Sequence, residues 1–212
     1  MKSSPKTTAD TVRRALAIVA FAVGSSAAHA IVVYNESISG DFSNTGTAPT
    51  VVTGLVSGAN EVHGVTGNPG SGGDRDYFTF TVPAGLEWTS LIALPGMAAG
   101  RVAFIGLQAG SLVTLPTNTQ TAAGLLGWHH YNSGDVGNDL LALMATPANG
   151  SSGFATPLGA GNYALWIQDS SPGETVYGLN FQLQHVPDAG PGLGFLAMLL
   201  ALPLLRRRSS KR

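Results

Sequence analysis

The sequence predicts an all-β fold, an antiparallel two-sheet sandwich or jelly roll, framed by an N-terminal signal helix and a C-terminal transmembrane helix. Three observations carry this expectation. Helical periodicity is scarce between Ile31 and His185, whereas short alternating runs bounded by Gly, Pro, Asn and Ser recur. The strongest runs have one apolar and one polar side, as strands with one face on a core require. No repeat of fixed period is present, which disfavours solenoids and propellers.

Lys2, Lys6, Arg13 and Arg14 precede an apolar stretch from Ala15 to Gly24 that is too short to span a bilayer. Ser25 to Ala30 are mostly small, and Ala28-His29-Ala30 has the small-x-small form that a signal peptidase admits. Residues 1–30 therefore read as a signal peptide cleaved after Ala30 rather than a retained anchor.

Residues 31–185 form the expected β domain. Its clearest strand is Asp76 to Val82, with Phe78, Phe80 and Val82 on one side and Tyr77, Thr79 and Thr81 on the other. Asn162 to Gln168 repeats the pattern, with Tyr163, Leu165 and Ile167 opposite Ala164, Trp166 and Gln168. The last strand, Val176 to His185, sets Tyr177, Leu179, Phe181, Leu183 and His185 against Gly178, Asn180, Gln182 and Gln184. Further strands are expected at Ile31 to Tyr34, Val51 to Val56, Glu61 to Val65, Thr89 to Leu94, Val102 to Leu107, Ser111 to Leu115 and Asp139 to Met144, with a helical turn at Gln120 to Leu126.

Residues 189–205 carry no charge, and Arg206, Arg207, Arg208, Lys211 and Arg212 follow at once. Such a stretch is at the short limit of a spanning helix. Its basic end favours the cytoplasmic side, so the domain before it would face outward.

Within 31–185 only Arg75 and Arg101 are basic, against ten carboxylates, a formal charge near −8. That balance argues against nucleic acid or an anionic membrane surface as partner and favours divalent cations. The chain has no cysteine, which excludes disulfides and thiolate metal sites.

Two segments carry family resemblances. Val186-Pro187-Asp188-Ala189-Gly190, the apolar stretch and the Arg-rich end together resemble a PEP-CTERM sorting signal of the Val-Pro-Asp-Ser-Gly variant, with Ala189 where the variant has Ser or Thr. The resemblance implies that residues 186–212 are a sorting signal processed by exosortase, a membrane enzyme of Gram-negative bacteria that make an extracellular polysaccharide. The chain would then be anchored transiently and released to the cell surface or beyond, in company with exopolysaccharide. Gly70 to Gly85 is similar to the Asp-x-Asp-Tyr-Phe-x-Phe-x-Val-x-x-Gly segment of bacterial pre-peptidase C-terminal domains. Those are small β-sandwiches that serve as accessory or binding modules, some of which bind calcium.

Candidate chemistry is sparse. Asp74 and Asp76 flank Arg75 beside Gly72 and Gly73, and a loop of this kind offers carboxylates and carbonyls to calcium, with Asp41, Asn60 and Glu61 as further contributors. The plain alternative is that the two aspartates cap a turn and pair with Arg75 or Arg101. His129 and His130 are adjacent, so in a strand they face opposite ways and do not chelate one metal; His63 and His185 would be needed for zinc. No Gly-x-Ser-x-Gly elbow is present, Ser152 lies in a glycine-rich linker, and no catalytic residue is assigned. Trp88, Trp128, Trp166, Tyr131 and Tyr163 suit either a sandwich core or stacking on sugar rings, and alternation makes Trp166 the leading candidate for exposure. The expected function is a non-enzymatic exported surface or matrix protein, with a calcium-stabilised adhesion or carbohydrate-binding module and a cryptic hydrolase as the alternatives.

Overall fold

The structure is a computed structural model and describes residues 29–68, 73–169 and 171–187. The signal segment and its cleavage site at Ala28, the residues from Asp188 to Arg212, and Gly72 lie outside those residues. Among the described residues no helix is long and apolar enough to cross a membrane.

The chain is mostly β and forms two sheets. The first holds β1 (Ile31–Asn35), β3 (Gly58–Asn68), β9 (Gly173–His185) and β5 (Leu86–Ala93), in the order β1-β3-β9-β5. The second holds β2 (Thr50–Val51), β4 (Arg75–Val82), β8 (Gly161–Gln168), β6 (Val102–Ala109) and β7 (Gly127–Asn132), in the order β2-β4-β8-β6-β7. The sheets are mixed rather than purely antiparallel. β1 runs parallel to β3 and β2 parallel to β4, because each is an edge strand delivered by a connection rather than a hairpin.

The inner faces follow the alternation in the sequence. Phe78, Phe80 and Val82 of β4 and Leu165 and Ile167 of β8 meet Trp88 and Leu91 of β5 and Leu179, Phe181 and Leu183 of β9 in one buried cluster. At its centre Phe80 meets Phe181 edge-on at 5.0 Å, and Trp88 stacks on Phe181 at 5.2 Å. Each of these large side chains contributes about 1.5–3 kcal/mol by leaving water.

Four expected elements are corrected. Asp139 to Met144 is not a strand: Leu140–Met144 is a short helix, α2, capped by Asp139, whose carboxylate accepts from Leu141 N at 3.0 Å. Leu140, Leu141 and Met144 are its buried residues, a helical spacing where a strand would have buried every second side chain. Val51 to Val56 shrinks to β2 because Gly54 turns the chain at φ +85°. Ser111 to Leu115 pairs with no strand, and no helix forms at Gln120 to Leu126. Both belong to a long excursion that folds over the second sheet, where Val113 and Leu115 pack on Tyr77 and Trp166. Their apolar residues thus cover a sheet face instead of extending it. β7, which carries His129 and His130, was not among the expected strands.

Candidate metal centre

A one-turn helix, α1 (Glu36–Ser39), follows β1 and is capped by Asn35, whose side chain accepts from Ser37 N at 3.0 Å. Gly40, at φ +96°, turns the chain back, and the Tyr34 hydroxyl donates to its carbonyl at 2.8 Å. Phe42 then enters the core, stacked between Tyr34 and Phe78. This anchor holds Asp41 above β4. The Glu36 carboxylate accepts from Phe42 N at 2.8 Å and from Val65 N at 2.5 Å, so it is fixed between the turn and the edge of β3.

Asp76 completes the arrangement. It precedes Phe78 on the core face of β4 and is 0% exposed. One oxygen from each of Glu36, Asp41 and Asp76 lies within 4.8 Å of the others. Neither Asp76 oxygen has a hydrogen-bond partner among the described residues, and the buried Tyr131 and Tyr177 hydroxyls are unpartnered too. Both phenols sense the charge of Asp76, which places all these unsatisfied polar atoms in one neighbourhood. Gly64 makes room for this: a Cβ there would strike the Tyr177 hydroxyl.

The electrostatics follow from that geometry. Burial, then the negative charge of Glu36, pushes Asp76 up to about 9, and the nearby Tyr177 hydroxyl opposes the shift without completing a well-formed hydrogen bond. Burial raises Glu36 to about 7 against its two main-chain donors, Phe42 and Val65, with Asp41 adding to the rise. Burial raises the Tyr177 hydroxyl as well. An unpaired buried carboxylate is costly in its charged form, so the site must hold either a proton or a cation at neutral pH.

The donors suit a hard divalent cation. Each of the three carboxylates brings one oxygen to the point of convergence, Asp41 is exposed so that water can supply further ligands, and calcium takes six to eight oxygens in flexible geometry. They offer no thiolate or imidazole of the kind zinc favours.

The structure thus regroups the residues singled out in the sequence. Asp76 meets Glu36 and Asp41, while Asp74 turns to Asn44, whose amide donates to it at 3.3 Å, and stays outside the cluster. Burial, then the charge of Asp41, raises the Asp74 carboxyl. Arg75 pairs with neither aspartate; its Nε donates to Gln168 at 3.0 Å. Asn60 is fully buried and binds the main chain of Val56, Gly58 and Phe181, and Glu61 faces His63 at 3.0 Å, so neither contributes. His129 and His130 point to opposite sides of β7, His185 ends β9 exposed, and Ser152 bonds to main-chain carbonyls. Trp88, Tyr131 and Tyr163 are core residues. Trp166 does face outward, but at 4% exposure it is covered by its neighbours rather than wet. Glu36 went unnoticed in the sequence because the β1–β3 pairing that delivers it is long-range. The available signal for Asp76 was its parity with Phe78.

Compared with known proteins, the chain matches no family model, no curated protein and no solved structure.

Proposed function

We propose that the chain is a non-catalytic, cation-stabilised domain of an exported surface or matrix protein. On this reading a signal peptidase removes residues 1–30, and an exosortase-type enzyme processes the tail from Val186 onward. The released β-sandwich resides outside the cell among exopolysaccharide.

The observation that carries the cation is Asp76, buried with both oxygens unpartnered and faced by Glu36 and Asp41. Calcium there would tie the start of the chain, through Glu36 and Asp41, to the centre of the second sheet. An extracellular medium supplies calcium at the concentrations that such sites require. The sorting route is supported by the order of motif, apolar stretch and basic cluster at the C-terminal end.

The test is expression of the full chain in a host with an exosortase and in its matched knockout, followed by fractionation and intact mass. A mature form beginning at Ile31 and lacking the tail only where exosortase is present is expected. Equal masses and inner-membrane residence in both strains would contradict the route. Melting the recovered protein with millimolar calcium and with chelator tests the cation separately.

A further inference from the structure

A second feature lies on the outer face of the five-stranded sheet, away from the carboxylates. Across it, aromatic side chains line up strand by strand: Tyr77 of β4 stacks on Trp166 of β8 at 5.5 Å, Trp166 meets Phe104 of β6 at 4.8 Å, and Phe104 stacks on Trp128 of β7 at 6.0 Å. The register explains the row, since Gly106 pairs with both Trp166 and Trp128. A Cβ at Gly106 would press on the Phe104 ring at 2.9 Å, so glycine is what lets that ring lie between the two indoles.

The excursion after β6 arches over this row and leaves a cleft of about 310 Å³, with Phe104, Trp128 and Trp166 on the sheet side and Thr117, Thr119, Thr121 and Asn149 on the other. That is the size at which small-molecule sites begin. Trp128 is half-buried and tied at its edge by Nε1 to Ala148 O at 3.0 Å, so its orientation is fixed.

Gln168 is the polar counterpart. Its Oε1 accepts from Arg75 Nε at 3.0 Å and from Trp166 Nε1 at 3.2 Å, which sets the amide orientation and leaves Nε2 without a partner among the described residues. Gln168 also lines two adjoining cavities of about 250 and 120 Å³, and Phe104 and His130 are shared with the larger of these. The cleft and these two hollows therefore lie side by side and together make a grooved stretch of surface.

We propose that this groove binds a neutral polysaccharide chain. The part-exposed rings of Trp128 and Phe104 accept the C–H faces of pyranose rings, with buried Trp166 as the floor beneath them, while the fixed amide and the threonine hydroxyls match ring hydroxyls. His130 is the sole titratable side chain on the lining of the main cleft. Where the groove reaches Asp169, that carboxylate is already matched by Arg101, Thr175 and Ser171. Arg75, in the smallest of the three cavities, lies beside Asp74 and Asp169, and an acidic polymer meets a domain of formal charge near −8. A row of adjoining hollows favours a chain over a single sugar. The ligand's source, though not the groove, rests on the reading of the protein as a matrix domain.

The test is affinity electrophoresis of the full chain, in a non-glycosidic detergent, through gels containing neutral polymers (β-glucan, galactomannan, dextran) or acidic alginate, with tryptophan fluorescence as a second readout. Two variants accompany it. Trp128→Ala removes a stacking face, and Thr117→Arg puts bulk at an exposed rim position that the fold does not use, with an unchanged melting temperature as its control. Retardation by at least one neutral polymer, weakened about tenfold or more in both variants and absent with alginate, is the expected result. Three results would overturn the proposal: no retardation by any neutral polymer, retardation untouched by both variants, or retardation by alginate instead. Failure of the export route would leave this readout unchanged and would be seen only in the fractionation.

Discussion

Replacing Asp76 by Asn should make the calcium-free protein more stable and make it indifferent to calcium. The folded chain holds the Asp76 carboxyl to about 9 against an ordinary 3.8. Folding at pH 7 must therefore return a proton to a group that is ionised in the unfolded chain, at a cost on the order of 4 kcal/mol. Asparagine escapes that cost, but its buried amide inherits a site with few partners and gives back about 1–2 kcal/mol. The net expectation in chelator is a gain of about 2–3 kcal/mol, or a melting temperature higher by about 5–10 °C for a domain of this size. In calcium the relation changes. Wild type gains about 2.7 kcal/mol when calcium is at 100 times its Kd, whereas the variant gains nothing and loses most of its advantage. Calorimetric melts of both proteins in chelator and in calcium read all four states. A variant less stable than wild type in chelator, or a calcium shift of equal size in both proteins, would refute the reasoning.

Other expectations follow from the same geometry. Without calcium, wild-type stability should fall as pH rises from about 4 to about 9, by up to about 1.4 kcal/mol per pH unit for each group, because Asp76 and Glu36 keep protons when folded that the unfolded chain has lost. Their contribution is full below their ordinary values and disappears as pH passes the raised ones, so Asp76→Asn should flatten the alkaline limb of a plot of melting temperature against pH. Asp169 acts with the opposite sign. Burial pushes its carboxyl up, but Thr175, Ser171 and Arg101 outweigh that and hold it below 3.8, so its contribution is present above that pH and lost on acidification. Arg101→Met should cost about 3–5 kcal/mol by leaving that buried carboxylate without its cation, and adding Asp169→Asn should recover part of the loss in denaturant titrations. Trp88→Ala, which empties the centre of the shared core, should cost about 3–5 kcal/mol by the same measurement.

The strands that hold the core were legible because their burial is one-sided: β4, β8 and β9 each put large apolar residues at alternate positions. Where that premise fails, the reading fails with it. The outer face of the second sheet is covered by the excursion after β6, so Val113 and Leu115 look like strand residues and Trp166 looks wet. α2 was misread because alternation fits a five-residue apolar run as readily as a helix does; the deciding sign was Asp139 as a cap. Half of the candidate metal site is also legible in the sequence. Asp76 shares parity with Phe78 and Phe80, which sends a carboxylate into the core, and a buried carboxylate requires a partner. The partners themselves come from α1 and the turn at Gly40, placed by the parallel pairing of β1 with β3 across an intervening stretch of chain that local patterns do not reveal. The groove was hidden for the same reason: Tyr77, Phe104, Trp128 and Trp166 form a row only once four strands are in register.

Isothermal titration of calcium into the full-length protein at neutral pH, in two buffers of different ionisation heat, is the most direct test of the metal centre. A single site with a Kd of roughly 10⁻³ M or tighter is predicted. The apparent enthalpy should differ between the buffers, because the cation displaces the proton that Asp76 otherwise holds. No saturable heat at millimolar calcium, or binding that persists unchanged in Asp76→Asn, would contradict the account.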